Sequence, residues 1–208
     1  GINTSRNFGL SVSKILSEQT GVRFREAKNH FEAQSSQDAI TELSGRLRTT
    51  ATGIMKIAND LRWMNSGPVS GLSEIMLPPL QPGSSIMPGK VNPVIPEAVR
   101  MACVQVIGND TVIAICNSMG DFQLNVMLPV IAYNIIQAIT LLANASRLLA
   151  EKAIEGLEIN EEHINVLMQM NPIIATALNP VIGYDRAAEV VKKAVREKKT
   201  VKQVVVEM

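Results

Sequence analysis

The 208 residues are 46% hydrophobic and carry 20 basic against 19 acidic side chains, for a formal net charge of +1. That is ample apolar material for a core, and the charge is too balanced to draw in nucleic acid or an anionic membrane, so any anion preference has to be local. Aromatic residues are only 3% of the chain, which suits helices packed on helices better than a sheet of aromatic and β-branched pairs; the expected fold class is all-α.

Helical spacing of apolar residues predicts a first helix over 8–19, stopped by Gly21, then a long one over 38–64 with Ile40, Leu43, Leu47, Ile54, Ile57 and Leu61 on one face. His30 falls in the loop between them. Residues 65–92 are rich in proline and glycine, and a loop of this length is more often functional than incidental. A helix is predicted from Pro93 to Asn117, and another over 122–155 that bends at Pro129. The stretch between Asp121 and Arg147 has no Asp, Glu, Lys or Arg, which raises a membrane span. Asn125, Asn134, Gln137 and Asn144 interrupt it and Pro129 breaks it, so a helix buried in a bundle is the better reading.

After Gly156 the elements shorten. Asn160 can cap a helix to Met170, a loop runs through Asn179-Pro180, and two basic helices occupy 185–197 and 200–208. The expected organisation is a helical domain over 1–156 and a small C-terminal helical domain over 157–208. Lysines 192, 193, 198, 199 and 202 sit among acids and read as a solvated face. Cys103 and Cys116 share one predicted helix without CxxC spacing or histidine partners, so they read as buried small hydrophobes, and no metal site or cofactor is expected.

The most informative stretch is the loop 82–93, with Gly83-Ser84-Ser85-Ile86-Met87-Pro88-Gly89-Lys90-Val91-Asn92-Pro93. Asn92 suits an N-cap, Pro93 the first helical position, and Glu97 the opening turns that follow. Free N–H groups at such a start, with Lys90 just upstream, would attract a carboxylate. The glycines allow close backbone approach and loop movement.

This run, with Glu97 behind it, resembles the signature of the fumarase/aspartase superfamily, lyases that add or remove water or ammonia across the double bond of fumarate. Lys56-Ile57-Ala58-Asn59-Asp60-Leu61-Arg62-Trp63, Ser66-Gly67-Pro68, Gly108-Asn109-Asp110, Leu124-Asn125-Val126 and Ala177-Leu178-Asn179-Pro180-Val181-Ile182-Gly183-Tyr184 resemble further family segments in family order. The resemblance implies a long-helix bundle and a homotetramer with sites shared between subunits, acting on a small dicarboxylate without a cofactor. It assigns the catalytic base to Ser84, substrate binding to Ser85, Lys90, Val91 and Asn92, and to Glu97 the pairing with a histidine that raises the histidine's affinity for a proton. Proton abstraction next to a carboxylate creates a doubly charged species, and a lysine, an amide and backbone N–H groups are suited to stabilising it. A serine serves as base only where its alkoxide is stabilised.

His30 and His163 are the only histidines, and neither lies in anything like the family's Thr-His segment. The opening Gly1-Ile2-Asn3-Thr4 resembles the middle of a family member, so the chain is expected to be a central and C-terminal part that is inactive alone. With no signal peptide visible, the expected compartment is cytoplasmic, with a mitochondrial location as the alternative. Phe31-Glu32-Ala33, Asp38-Ala39, Glu42-Leu43-Ser44-Gly45, Arg62-Trp63 and Leu128 resemble the fumarase branch more than the aspartase branch. An ammonia-lyase acting on aspartate and a non-catalytic structural homologue stay open. Val69 and Val181 depart from the family's usual arginine and histidine.

Overall fold

Seven-residue spacing of small side chains, more than the large apolar ones, organises the longest helix of the computed structural model, which describes residues 3–208. Gly1 and Ile2, and with them the start of the opening segment, lie outside the described residues. Contacts divide the chain into two compact units, 1–51 with 103–142 and 52–102 with 143–208, so the division falls inside each of the three long helices.

Helix α1 (Phe8–Thr20) closes at Gly21, and α2 (His30–Ser35) is capped by the Asn29 side chain, which accepts the N–H groups of Phe31 and Glu32. The expected loop at His30 is therefore a short helix. In α3 (Asp38–Met64) the buried residues are Ser44, Ala51, Ala58 and Leu61. Leu43 and Ile57, expected on the core face, are 40% and 49% exposed. Small residues at seven-residue spacing leave the room that a neighbouring helix needs, and this pattern overrides the placement of the larger side chains.

Helix α4 (Val94–Asn117) buries Val99, Cys103, Val106, Asp110 and Ile113, and α5 (Leu128–Leu149) buries Ile131, Ile135, Ala138, Leu142, Ala145 and Leu149. Both follow the alternating four-and-three spacing of helix seams. α4 and the run Leu128–Ile154 are long and apolar enough to cross a membrane, with mean hydropathies of 1.4 and 1.5. Their seams nevertheless bury polar groups with protein partners. Arg48 reaches Asp110 at 2.8 Å, and Asn109 donates to the Gln137 side chain at 2.9 Å and to the Asn134 carbonyl at 3.2 Å.

In the first unit, Ile113, Cys116, Ile131 and Ile135 form a core with Ile40, Leu47 and Met127 against it. The Gln37 N–H donates to Asn117 at 2.6 Å, and the Asn117 amide donates to Asp38 at 2.9 Å. This bond, followed by one from Ser36, holds the Asp38 carboxyl below its ordinary range. Cys103 and Cys116 are free thiols, both buried, and burial pushes the Cys103 thiol up. Helix α5 begins at Leu128, where a helix from Phe122 bent at Pro129 was expected. Proline fits a helix opening because no N–H is needed there, and upstream Asp121 and Leu124 bond each other reciprocally at 2.8 and 3.2 Å. Buried Asn125 accepts the Met127 N–H at 2.9 Å and donates to the Cys116 carbonyl at 3.0 Å.

In the second unit, α5 runs into a π-type turn, Ala150–Ile154. The short strands β1 (Ile75–Met76) and β2 (Glu158–Ile159) pair antiparallel, Ile75 opposite Ile159. Asn160 ties this frame together: its N–H donates to the Glu74 carbonyl at 3.0 Å, its amide to the Ser73 carbonyl at 2.9 Å, and its side-chain oxygen caps α6 (Glu161–Met170).

The loop expected around Asn179-Pro180 is a 3₁₀ segment, Pro172–Leu178, leading into α7 (Asn179–Ile182). Asn171 starts it by accepting the Ile173 N–H at 3.0 Å, with Pro172 at the first position. Helices α8 (Tyr184–Glu197) and α9 (Val201–Glu207) complete the chain. Ala175, Val190, Ala194, Val201 and Val204 form their shared core, and a reciprocal Thr200–Gln203 capping box opens α9.

Candidate active site

The signature loop is closed at its neck by backbone and amide hydrogen bonds. The Gly83 N–H donates to the Lys90 carbonyl at 2.8 Å, and the Asn92 side-chain amide donates to the Gly83 carbonyl at 3.0 Å. A Cβ on Gly83 would overlap the Lys90 carbonyl and stand 2.9 Å from the Asn92 nitrogen, so only glycine fits this crossing. Beyond the neck, the Lys90 N–H bonds the Met87 carbonyl at 3.3 Å across Pro88 and Gly89. Gly89 has φ +78°, the conformation that the third position of a type II turn demands after proline.

Ser84 sits half-buried inside this turn system, and its hydroxyl oxygen accepts the N–H groups of Ile86 and Met87, both at 3.1 Å. Two donors aimed at one oxygen favour negative charge on it, which a serine base requires. Ser85 and Lys90 are exposed, as are Ile86 and Met87 at the tip. Gly89 and Val91 line a cleft of about 480 Å³ together with Asn65, Ser73, Leu77 and Asn160. The neck thus joins Gly83, Lys90 and Asn92, while of the loop only Gly89 and Val91 line the cleft; Ser84, Ser85, Lys90 and Asn92 do not.

Asn92 departs from its expected role. Its amide spans the neck, and the Pro93 carbonyl accepts the Glu97 N–H at 3.2 Å in its place. The helix start is also a poorer anion site than expected. Pro93 and Pro96 have no N–H, and the Val94 N–H is taken by the Asn92 carbonyl at 2.9 Å. Positive charge at the loop comes from the Lys90 side chain, and the directed donors are those on Ser84.

Glu97 lies in the first turn of α4, as expected, and faces Arg62, whose Nε stands 3.8 Å from its Oε1. His30 instead pairs with Glu26 at 3.2 Å on the surface, and the His163 backbone N–H caps onto Asn160 at 3.4 Å. The loop upstream is braced by Ser66, whose hydroxyl donates to the Trp63 carbonyl at 2.6 Å and accepts the Leu72 N–H at 3.0 Å. Asn65 accepts the Leu77 N–H at 2.8 Å. Arg62, Asn65 and Asn160 support the site without a motif of their own in the sequence; only Arg62 carries a signal, as part of the family-like segment from Lys56 to Trp63.

A family model described as "Lyase" matches residues 1–108, and one described as "Fumarase C C-terminus" matches residues 174–208. The chain belongs to the fumarase/aspartase superfamily of lyases. A "Fumarate hydratase class II" of Xylella fastidiosa is 54% identical over 207 residues, covering 100% of this chain and 44% of the relative. Among solved structures, a "fumarate lyase:delta crystallin" from Brucella melitensis superposes with TM-score 0.93 at 45% identity, over 99% of this chain and 45% of that one. A class II fumarase from Schistosoma mansoni gives TM-score 0.91 at 37% identity, over 99% and 46%. The chain thus spans less than half the length of the relatives it matches, and its all-α, long-helix fold class is theirs. Its two departures are both surface positions here, Val69 88% and Val181 82% exposed.

Proposed function

We propose that this lyase contributes the base-bearing loop of a fumarate hydratase, interconverting malate and fumarate. The observation that carries the reading is the pair of N–H donors on Ser84, in a chain with relatives named for that activity at 54% and 52% identity. Ser84 as alkoxide removes the proton next to a malate carboxylate, and the electron pair passes into that carboxylate. The hydroxyl on the neighbouring carbon then departs as water after receiving a proton. Lys90 supplies positive charge to a substrate carboxylate, and Ser85, Val91 and Asn92 are its further contacts in this reading. The proton donor for the departing hydroxyl is a histidine paired with Glu97, supplied from outside these 208 residues.

The same reading includes a homotetramer. Met101, Val104, Tyr133 and Ile136 on the long helices are 71%, 60%, 66% and 63% exposed, apolar surface of the kind that further copies of the chain would cover. Native mass spectrometry of the complete translated product gives four copies if this holds.

Fumarate absorbance after adding malate, and separately aspartate, tests the reaction. Fumarate from malate that disappears in Ser84→Ala supports the hydratase; fumarate from aspartate alone moves the loop to an ammonia-lyase. Silence with both substrates favours the second reading, a structural homologue, to which the delta-crystallin part of the Brucella protein's name points.

A further inference from the structure

Arg62 occupies the last turn of α3 and Glu97 the first turn of α4, the helix ends at which a cation and an anion respectively are favoured. Their closest approach, Arg62 Nε to Glu97 Oε1, is 3.8 Å, longer than a hydrogen bond. Yet Arg62 Nε is a buried nitrogen with no hydrogen-bond partner, while the side chain as a whole remains 31% exposed. A buried N–H without an acceptor is costly, and the nearby acceptor is a carboxylate that is itself 36% exposed.

We propose that Arg62 is the positioning residue for Glu97, a role that rests on the hydratase reading above. A guanidinium is a rigid planar fork, so a carboxylate oxygen drawn onto it loses part of its rotational freedom. With Oε1 held by Arg62, the second oxygen of Glu97 is left at a defined angle for its histidine partner. Without Arg62 the carboxylate swings about its side-chain torsions, and the histidine is correctly aligned for a smaller fraction of the time. Arg62 touches no reacting atom; it acts only through Glu97.

The test is a double-mutant cycle on the complete translated product, with kcat and KM measured for Arg62→Met, Glu97→Gln and the pair. Arg62→Met is expected to lower kcat about tenfold while KM stays within about twofold, because an interaction with a catalytic partner and not with the substrate has been removed. In the Glu97→Gln background the same substitution is expected to change kcat by less than about twofold. Arg62→Lys, which keeps the charge but loses the fork, should fall between wild type and Arg62→Met, and it carries the cycle if Arg62→Met fails to assemble. Equal losses in both backgrounds, a change confined to KM, or no loss at all would overturn the assignment. Turnover of aspartate in place of malate would sink the hydratase reading alone, since the cycle is then read on aspartate. A complete product silent on both substrates overturns both.

Discussion

The signature loop and the C-terminal helices α8 and α9 are held together in opposite ways. The loop buries little: its tip residue Ile86 is 85% exposed, and its form rests on the Gly83–Lys90 and Asn92–Gly83 bonds and the turn through Gly89. The C-terminal pair instead seals Val190, Ala194, Val201 and Val204 in a core, each no more than 4% exposed. Around that core Lys199 meets Glu207 at 2.8 Å and Glu197 at 3.1 Å, and Lys193 meets Glu207 at 3.6 Å. Polar loops with locally satisfied backbone can present reactive groups to solvent, while burial gives rigidity without chemistry. Substitutions in the first region should therefore change rate, and those in the second should change stability.

The largest effect is expected from Ser84→Ala in the complete product, a loss in kcat of about 10²-fold to 10⁴-fold with circular dichroism unchanged. Activity within a few-fold of wild type would break the base assignment. Arg62→Met follows with its smaller loss of kcat. Gly83→Ala comes next: the added methyl collides with the Lys90 carbonyl, opening the neck and displacing Ser84, so that kcat falls while the melting temperature moves little. A large stability loss with intact kcat would mean that the neck is structural and not functional.

On the other side of the comparison, Val204→Ala removes two methyl groups from a fully buried position and should destabilise the C-terminal helices by about 2 kcal/mol, read by denaturant melts, with kcat untouched. The smallest effect is pH-dependent. The hydrogen bond from Lys199 holds the Glu197 and Glu207 carboxyls below their ordinary range, so their contribution to folding is present above the usual glutamate value and lost as pH falls through the lower folded values. The same bonds, Glu207 first, raise Lys199, whose contribution is present below the usual lysine value and lost only as pH rises past the elevated one. The protection factor of the Val204 amide, that is exchange relative to its intrinsic rate at each pH, should fall slightly on acidification, and Lys199→Met should weaken that acid sensitivity. These groups are exposed, so the change stays well below that of Val204→Ala.

Much of the loop was legible because its chemistry is local. Pro88-Gly89 dictates a turn by backbone preference, and the Ser84 hydroxyl finds donors two and three residues away. The Asn92 side chain suits a cap, but an amide also donates, and here it donates to the Gly83 carbonyl across the neck. On α3 the large apolar residues pointed to one face, while Ser44, Ala51 and Ala58 marked the buried one.

The positions of α1, α3 and α4, the Asn160 and Thr200 caps and the turn in the signature loop were determined by the sequence itself, since each depends on neighbours within a few residues. Only the tertiary structure decided that Arg62 faces Glu97, that Asn160 ties Ser73 and Glu74 to the second strand, and that Asn92 closes the loop neck. Those pairings join groups distant in the chain or choose between equally good local partners, and that choice is made by which surfaces the packed helices bring together.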